Sequence, residues 1–430
     1  VTAGLPRRAV LCALGSSGDV HPFVGLGLEL ARRGCDVTVV AAGYFRGLVE
    51  GAGLGFLDPL PEIDFRETIR DPTIWHPLRG PGRLIDAAVR PLLEPLHRLI
   101  VARAADGDTI VVGSSLAFGA RVAQETHGIP LVTVHLSPAL FRSVHAGPRV
   151  PGLLVHRGPG WWKRLQWRLV DAIADRRILP WLDAYRAGFG LAPLRRVVGE
   201  WMHSPLAVVG MFPEWFAPPQ PDWPPHTRVT GFPLYSEEGV TELDDDVARF
   251  LAAGPPPVAF TPGSAHRFAH GFFREAAAAC GRLGVRGLLL TRFPEQIPVT
   301  LPAEVRHVAF VPFRRLLPAC SLLVHHGGIG STSQALFAGI PQIVMPMGFD
   351  QFDNAARVER LGLGAILPPR RFTAARLAPL LTRLLADAGL RTRCRDVSRR
   401  LVGTDGPAAA ADAVRDAWLA WRAGRVPAGS

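Results

Sequence analysis

Residues 322–354 read LLVHHGGIGSTSQALFAGIPQIVMPMGFDQFDN, and the side chains in this stretch suit an anion next to a polyol. Gly327, Gly328 and Gly330 let backbone N–H groups come close to an anion with no Cβ in the way, and Ser331 and Thr332 add hydroxyl donors where a helical pattern begins. His325 and His326 stand at the lip of the turn, where an imidazole can donate to a phosphate oxygen. Asp350 and Gln351 follow the next apolar run, and a carboxylate beside an amide matches sugar hydroxyls, which both donate and accept. Glycines alone would serve an ordinary packed turn. Glycines with imidazoles, hydroxyls and Asp-Gln at this spacing point to a nucleotide-sugar site.

A second group of residues, Gly18-Asp19-Val20-His21-Pro22, follows the apolar run 9–14. Moving a sugar onto a hydroxyl requires a base for the hydroxyl proton, and a carboxylate in a desolvated loop can take that role at neutral pH. Asp19 is also well placed to cap a helix beginning near Pro22, and spacing alone leaves both readings open. His21 is the second candidate base.

These residues need a scaffold that brings strand ends to one edge. The run 322–324, the glycine turn, the helical pattern through Gln334 and Phe337 and the run 343–345 form one βαβ unit. The run 9–14, a helix through Phe23, Leu26 and Leu30, Gly34 and the run 36–41 form another. The second lacks GxGxxG and has no acidic residue closing its second strand, which argues against a nicotinamide cofactor. Further strands are predicted at 108–112, 131–135, 206–211, 257–261, 287–291 and 308–311. The polar stretch 236–246 reads as a domain boundary, and Asp244-Asp245-Asp246 reads as the acidic start of a helix rather than a metal site. The predicted architecture is α/β, with doubly wound parallel sheets in two domains. At 430 residues the chain is long enough for both.

Hydrophobic residues make up 48% and charged residues 20%, and no apolar run reaches the ~18 residues a membrane span requires. The opening VTAGLPRR does not read as a signal peptide, because the apolar segment after it is a strand. Cysteines at 12, 35, 280, 320 and 394 show no paired spacing and read as buried thiols of a reducing compartment. The net charge of +11 is carried by arginine pairs spread along the chain, with Lys163 the one lysine, and no basic stripe with interleaved aromatics marks a nucleic-acid partner. The charge also leaves room for an anionic membrane or acceptor. Segment 161–182 (WWKRLQWRLVDAIADRRILPWL) puts Trp162, Leu165, Leu169 and Ile173 on one helical face, with Arg164, Arg168 and Asp171 turned away. Packing on the core is the plainest use of that face; an acceptor wall and a membrane surface are the alternatives. The Trp- and Pro-rich stretch after residue 211 reads as a rigid surface crossing.

Residues 322–354 resemble the donor-binding signature of the family 1 glycosyltransferases, enzymes of the GT-B fold, and 18–22 resembles their Gly-[His/Asp]-x-x-Pro turn in its Asp form. Residues 201–225 and Gly231-Phe232-Pro233-Leu234 are similar to the bacterial rhamnosyltransferase B subfamily of rhamnolipid synthesis, near which bacterial flavonoid glycosyltransferases also fall. The resemblance covers nearly the whole chain. It implies two Rossmann-like domains facing across a cleft: an acceptor domain over 1–235, a linker over 236–246, a donor domain over 247–407 and a helix over 408–430 packing back on the first domain. It also implies an inverting, metal-independent hexosyltransferase with no cofactor, its nucleotide sugar serving as co-substrate. Asp19 becomes the base. Ser17, Gly18 and Ser264 join the glycine turn around the donor, and Phe310, where relatives hold a Trp, stacks on the base beside Val311. Ser114-Ser115 stand where many plant relatives carry an aspartate that orients a catalytic histidine, which fits a base acting without a His–Asp dyad. Gln334 replaces a glutamate that holds both ribose hydroxyls, which favours a dTDP-sugar, with dTDP-L-rhamnose as the subfamily's implication. The glycine alignment gives His326 the phosphate, while the rhamnolipid enzymes carry Pro there, so the choice between His325 and His326 stays open. The acceptor implied is a hydrophobic hydroxylated molecule, a hydroxyalkanoyl lipid or a flavonoid-like aglycone. A UDP-glucose donor with polyphenol, macrolide or sterol-like acceptors, a non-catalytic nucleotide-sugar-binding subunit and a hydrolysing epimerase are the competing readings. The expected location is cytoplasmic, with peripheral association at the inner membrane face; oligomeric state is left open.

Overall fold

The computed structural model describes residues 4–61, 71–235, 243–264 and 266–425. The chain divides into two compact units, Val1–Tyr235 with Asp405–Ser430, and Ser236–Thr404. Of the predicted boundary 236–246, residues 236–242 lie outside the described residues. Asp244 caps the helix Asp245–Ala252, its side chain accepting from the Asp246 amide at 2.9 Å.

The first unit is built on β1 (Arg8–Cys12), β2 (Asp36–Val40), β3 (Gly55–Leu57), β4 (Thr109–Ser114), β5 (Leu131–His135), β6 (Ala207–Gly210) and β7 (Thr227–Val229). All pair in parallel in the order β3-β2-β1-β4-β5-β6-β7. Val10, Leu11, Ile110, Val111 and Val132 are buried, as strands covered on both faces require. Cys12 pairs with Val40 on one side and Gly113 on the other. The sheet order reverses between β1 and β4, so the loop after β1 leaves the sheet where such folds place their ligands.

The helix Gly406–Arg422 completes this unit. Ala410, Val414 and Trp418 share one core with Leu26 and Leu30 of the helix Ser17–Arg32. Arg33 locks the join, donating to Asp412 Oδ1 at 2.7 Å and to the Ala408 carbonyl at 3.0 Å.

The second unit carries β8 (Val258–Thr261), β9 (Gly287–Leu290), β10 (Val305–Val308), β11 (Leu322–His325), β12 (Gln342–Val344) and β13 (Gly364–Ile366), again all parallel, in the order β10-β9-β8-β11-β12-β13. The two doubly wound sheets are those the sequence predicts.

Three details differ. β10 begins three residues before the predicted 308–311, because Val305 pairs with Gly287 and the chain turns off the sheet at Pro312. Phe310 and Val311 therefore sit in the loop after the strand. The stretch after residue 211 is not a surface crossing: Phe212 and Phe216 are fully buried, and Trp223 stacks on Phe141 with ring centres 4.3 Å apart. Prolines there replace regular structure while aromatic rings fill the core.

The third difference is larger. The first half of the helix Gly160–Ala187 turns its apolar stripe outward and polar residues inward, while Ile178 and Leu182 of the second half are buried in the core. Beneath it runs a loop with carbonyls and amides to satisfy, and buried Lys163, Gln166 and Asp171 satisfy them and pair with Arg142. The demand of an irregular backbone for hydrogen bonds outweighed amphipathic packing.

If the C-terminal helix belongs to the first core, Trp418→Ala should destabilise that unit by about 3–5 kcal/mol, the usual cost of deleting a large buried ring. Urea unfolding followed by circular dichroism should show the loss as an early transition. An unchanged profile would detach the helix from this core.

Candidate functional site

The loop after β1 is built around one carboxylate. Ser16 caps the helix Ser17–Arg32, and Asp19 occupies its third position. The helix starts five residues before Pro22, so Asp19 does not cap a helix beginning there but lies in the first turn and closes a capping box with Ser16. Asp19 Oδ2 accepts from the Ser16 amide at 2.7 Å and from Ser16 Oγ at 3.0 Å. Asp19 Oδ1 accepts no hydrogen bond among the described residues. One oxygen thus holds the loop, leaving the other for chemistry. Burial pushes the carboxyl above the ordinary aspartate range, against the two Ser16 bonds that lower it. Gly15 is part of this arrangement: at φ +140°, a Cβ there would lie 2.3 Å from Asp19 Oδ2. Only glycine lets the backbone pass so close.

His21 takes a different direction. Its Nδ1 donates to the Ser17 carbonyl at 2.6 Å and its ring lies 6.1 Å from that of Tyr235. It makes no dyad with Asp19. The Ser17 carbonyl is occupied in that bond, and Gly18 is exposed at the helix start. At the end of the neighbouring β4, Ser114 Oγ is buried without a partner among the described residues.

In the second unit the two histidines at the end of β11 divide their work. His325 is fully buried; its Nε2 donates to Gln342 Oε1 at 2.9 Å and its Nδ1 accepts from the Gly327 amide at 3.1 Å. Burial pulls its pKa down to about 4, which keeps this neutral tautomer in place. With both nitrogens used in the fold, His325 has none to offer a diphosphate, which counts against it as a donor ligand. The Gly327 amide is used by the same bond.

His326 is the opposite case. Neither ring nitrogen has a partner among the described residues, and Nδ1 is buried. The ring fits between two glycines: a Cβ at Gly263 would lie 2.7 Å from His326 Cε1, and one at Gly328 would lie 2.5 Å from Nε2. Burial first, then the nearby His325 and His266, draw its pKa down to about 3. The ring is neutral at physiological pH, and an anion placed against it would raise its affinity for a proton.

The helix Ile329–Ala338 follows. Its first amide, Ile329, donates to Asp350 Oδ2 at 3.2 Å. The amides of Gly330 and Ser331 and the Ser331 hydroxyl bond to nothing among the described residues. Thr332 does not supply the hydroxyl donor the sequence implies: its buried Oγ1 donates to the Gly328 carbonyl at 3.0 Å. One helical turn on, Gln334 Oε1 is buried with no partner. An acceptor, two amides, a hydroxyl and an imidazole therefore surround one glycine turn with no partner among the described residues.

The loop after β12 encloses this turn. Gln351 Oε1 accepts from the amides of Met347 and Gly348 at 2.8 and 3.0 Å, holding Phe349 at φ +53°. A phenylalanine at positive φ marks stored strain, which the two amide bonds offset. Asp350 Oδ2 also accepts from Asn354 Nδ2 at 2.7 Å, and Asn354 reaches the Gly327 carbonyl at 2.9 Å. Asp350, Asn354 and Gln351 thus brace the glycine turn as well as lying beside it.

Ser264 is exposed at the end of β8, next to β11. Phe310 is 45% exposed with the Arg292 guanidinium 4.3 Å over one face, while the Val311 side chain is buried in the core. Val311 can thus meet a ligand only through its backbone.

Sequence reasoning missed Ser16, Gly15, Gln342, Gly263 and Asn354. Asn354 was within reach, because it stands one helical turn after Asp350. Ser16 and Gly15 were too, since Ser16 stands at capping-box spacing from Asp19, whereas Gln342 and Gly263 are set by contacts between distant parts of the chain.

Residues 293–415 match the family model described as the erythromycin biosynthesis protein CIII-like C-terminal domain. Over 436 aligned residues the chain is 31% identical to the O-mycaminosyltylonolide 6-deoxyallosyltransferase of Streptomyces fradiae, covering 93% of this chain and 94% of that one. An uncharacterized glycosyltransferase of Mycobacterium tuberculosis is 29% identical over 430 residues, covering 95% and 97% of the two chains. Among solved structures, the glycotransferase of kitacinnamycin superposes with a TM-score of 0.72 at 21% identity, covering 96% of this chain and 99% of that one. The spinosyn rhamnosyltransferase SpnG, complexed with thymidine diphosphate, gives 0.66 at 19%, covering 94% and 98%. A relative this similar along nearly its whole length, together with two doubly wound parallel sheets, places the chain in the family of GT-B glycosyltransferases that carry an erythromycin CIII-like C-terminal domain.

Proposed function

We propose that the protein is an inverting glycosyltransferase moving a 6-deoxyhexose from a dTDP-linked donor to a hydroxyl of a hydrophobic aglycone, without a metal. The observation carrying this reading is the set of unsatisfied groups at the glycine turn: the Gly330 and Ser331 amides, the Ser331 hydroxyl, both nitrogens of His326 and Gln334 Oε1. In this reading the amides and the positive end of the helix Ile329–Ala338 hold the diphosphate. His326 donates to a phosphate oxygen. Gln334 Oε1 accepts from a deoxyribose hydroxyl, and the base stacks on the open face of Phe310. Asp350 and Gln351 border the sugar. Deoxysugar chemistry is supported by the 6-deoxyallosyltransferase relative and by the thymidine diphosphate in the spinosyn enzyme. L-rhamnose remains the sugar implied by the sequence, and those two enzymes favour a macrolide-like aglycone over a lipid or flavonoid.

The chemistry is a single displacement. The acceptor O–H bond breaks and its proton passes to Asp19 Oδ1, while the oxygen forms a bond to the anomeric carbon. The bond from that carbon to phosphate breaks on the opposite side, and the nucleoside diphosphate leaves with the electron pair. Charge that grows on the leaving oxygen meets the amides and His326, already oriented. Attack on the face opposite the departing phosphate inverts the configuration of that carbon.

Asp19→Asn should preserve dTDP affinity by calorimetry and lower kcat by about 10²–10⁴, the usual contribution of a positioned base. Near-normal turnover would remove Asp19 from the reaction. Because burial raises its pKa, the acid limb of kcat/KM should lie above the ordinary aspartate value of about 3.9, falling tenfold per pH unit below that limb. A raised folded-state pKa contributes stability at low pH, and that stability is lost as pH rises through the raised value. The Asn variant, which does not ionise, should therefore lose less stability than wild type between acid and neutral pH. An acid limb at or below the ordinary value would contradict the assignment.

Gln334→Glu should shift nucleotide preference towards UDP. A carboxylate can accept from both hydroxyls of a ribose diol, so the ratio of UDP to dTDP dissociation constants should fall by about tenfold, the range of one charge-assisted hydrogen bond. An unaltered ratio would take Gln334 out of the nucleotide site.

A further inference from the structure

The first half of the helix Gly160–Ala187 presents an exposed apolar face. Trp161, Leu165, Leu169 and Ile173 are 63%, 50%, 57% and 64% exposed, with Trp162 and Leu154 on the same outer side. At 1.5 Å per residue, the run from 161 to 173 extends about 18 Å. The polar half of the helix is held inward. Lys163 Nζ donates to the Val144 carbonyl at 2.8 Å, Gln166 Oε1 accepts from the Leu154 amide at 2.6 Å, and Asp171 pairs with Arg142 at 2.5 Å. These bonds fix the rotation of the helix, so the apolar stripe cannot roll inward without stripping a lysine and an aspartate of their partners.

From 157 to 173 the exposed charges beside the stripe have one sign. Arg157, Arg164 and Arg168 are exposed around the stripe. Asp171, the one acidic residue between 157 and 174, is the residue turned inward. We infer that this face is a docking surface for an anionic lipid membrane, the helix lying in the headgroup layer with Trp161, Leu165, Leu169 and Ile173 towards the acyl chains and the arginines on lipid phosphates. Tryptophan and arginine together suit that boundary, since each has an apolar body and a polar end. A second copy of the chain fits less well: a two-fold contact centred on this stripe would bring the flanking arginines of the two copies towards each other. The inference does not depend on which sugar or acceptor the enzyme uses.

Co-sedimentation of the full chain with extruded vesicles tests it. Vesicles containing phosphatidylglycerol should retain the protein at low salt, releasing it as salt rises, and should bind at least tenfold more tightly than pure phosphatidylcholine. The variant Leu165→Ser/Ile173→Ser and the variant Arg164→Glu/Arg168→Glu should each weaken binding by at least tenfold. Both pairs face outward, so their melting midpoints should match wild type. Equal binding by the variants would assign the attraction to the overall charge of +11 and overturn the inference. Absence of binding would overturn it too, as would a dimer in sedimentation equilibrium that Leu165→Ser/Ile173→Ser dissociates.

Discussion

Parallel strands all end at the same edge of their sheet, and each chain leaving that edge must turn back into a helix. The helix begins with amides that no carbonyl within it can satisfy, so unsatisfied donors accumulate at that edge. The candidate site residues of both units follow from that constraint. After β1 the surplus is met internally, with Ser16 and Asp19 closing a cap on each other and leaving one carboxylate oxygen. After β11 it is left open at Gly330 and Ser331, and the neighbouring loops are braced so that it stays open. The same topology leaves a carboxylate oxygen without a partner in one unit and open amides in the other, and the third residue of the helix is an aspartate in the first and a serine in the second.

The adjacent histidines show how narrow that difference is. His325 and His326 are neighbours in sequence, but one points into the sheet and the other into the turn, as successive residues at a strand end do. His325 uses both nitrogens to fix Gln342 and the Gly327 amide, and so shapes the site without entering it. His326 keeps both nitrogens because Gly263 and Gly328 make room for its ring and bring no hydrogen-bonding side chain of their own. Phe349 at positive φ, held by Gln351, belongs to the same bracing.

Much of this was readable from residue types alone. Alternating apolar runs and glycine turns locate both sheets, since a strand buried on both faces has few other ways to be written, and the glycine turn with its histidines, serine and Asp-Gln marks the site. What was not readable depended on direction. Spacing cannot tell which of two consecutive histidines faces inward, nor that Thr332 would spend its hydroxyl on its own helix. The helix 160–187 misled for a related reason. Its periodicity was real, but the layer beneath it is an irregular loop that needed hydrogen bonds, so the periodic face turned away. β10 slipped by three residues because an apolar run continuing past a strand end looks the same as the strand.

Whether a nucleoside diphosphate settles on the turn after His326 is tested most directly by a crystal structure of the protein with thymidine diphosphate. Phosphate oxygens are expected about 3 Å from the amides of Gly330 and Ser331 and from a ring nitrogen of His326, the ordinary hydrogen-bond distance. A nucleotide bound elsewhere, with those three groups still unpaired, would contradict the assignment.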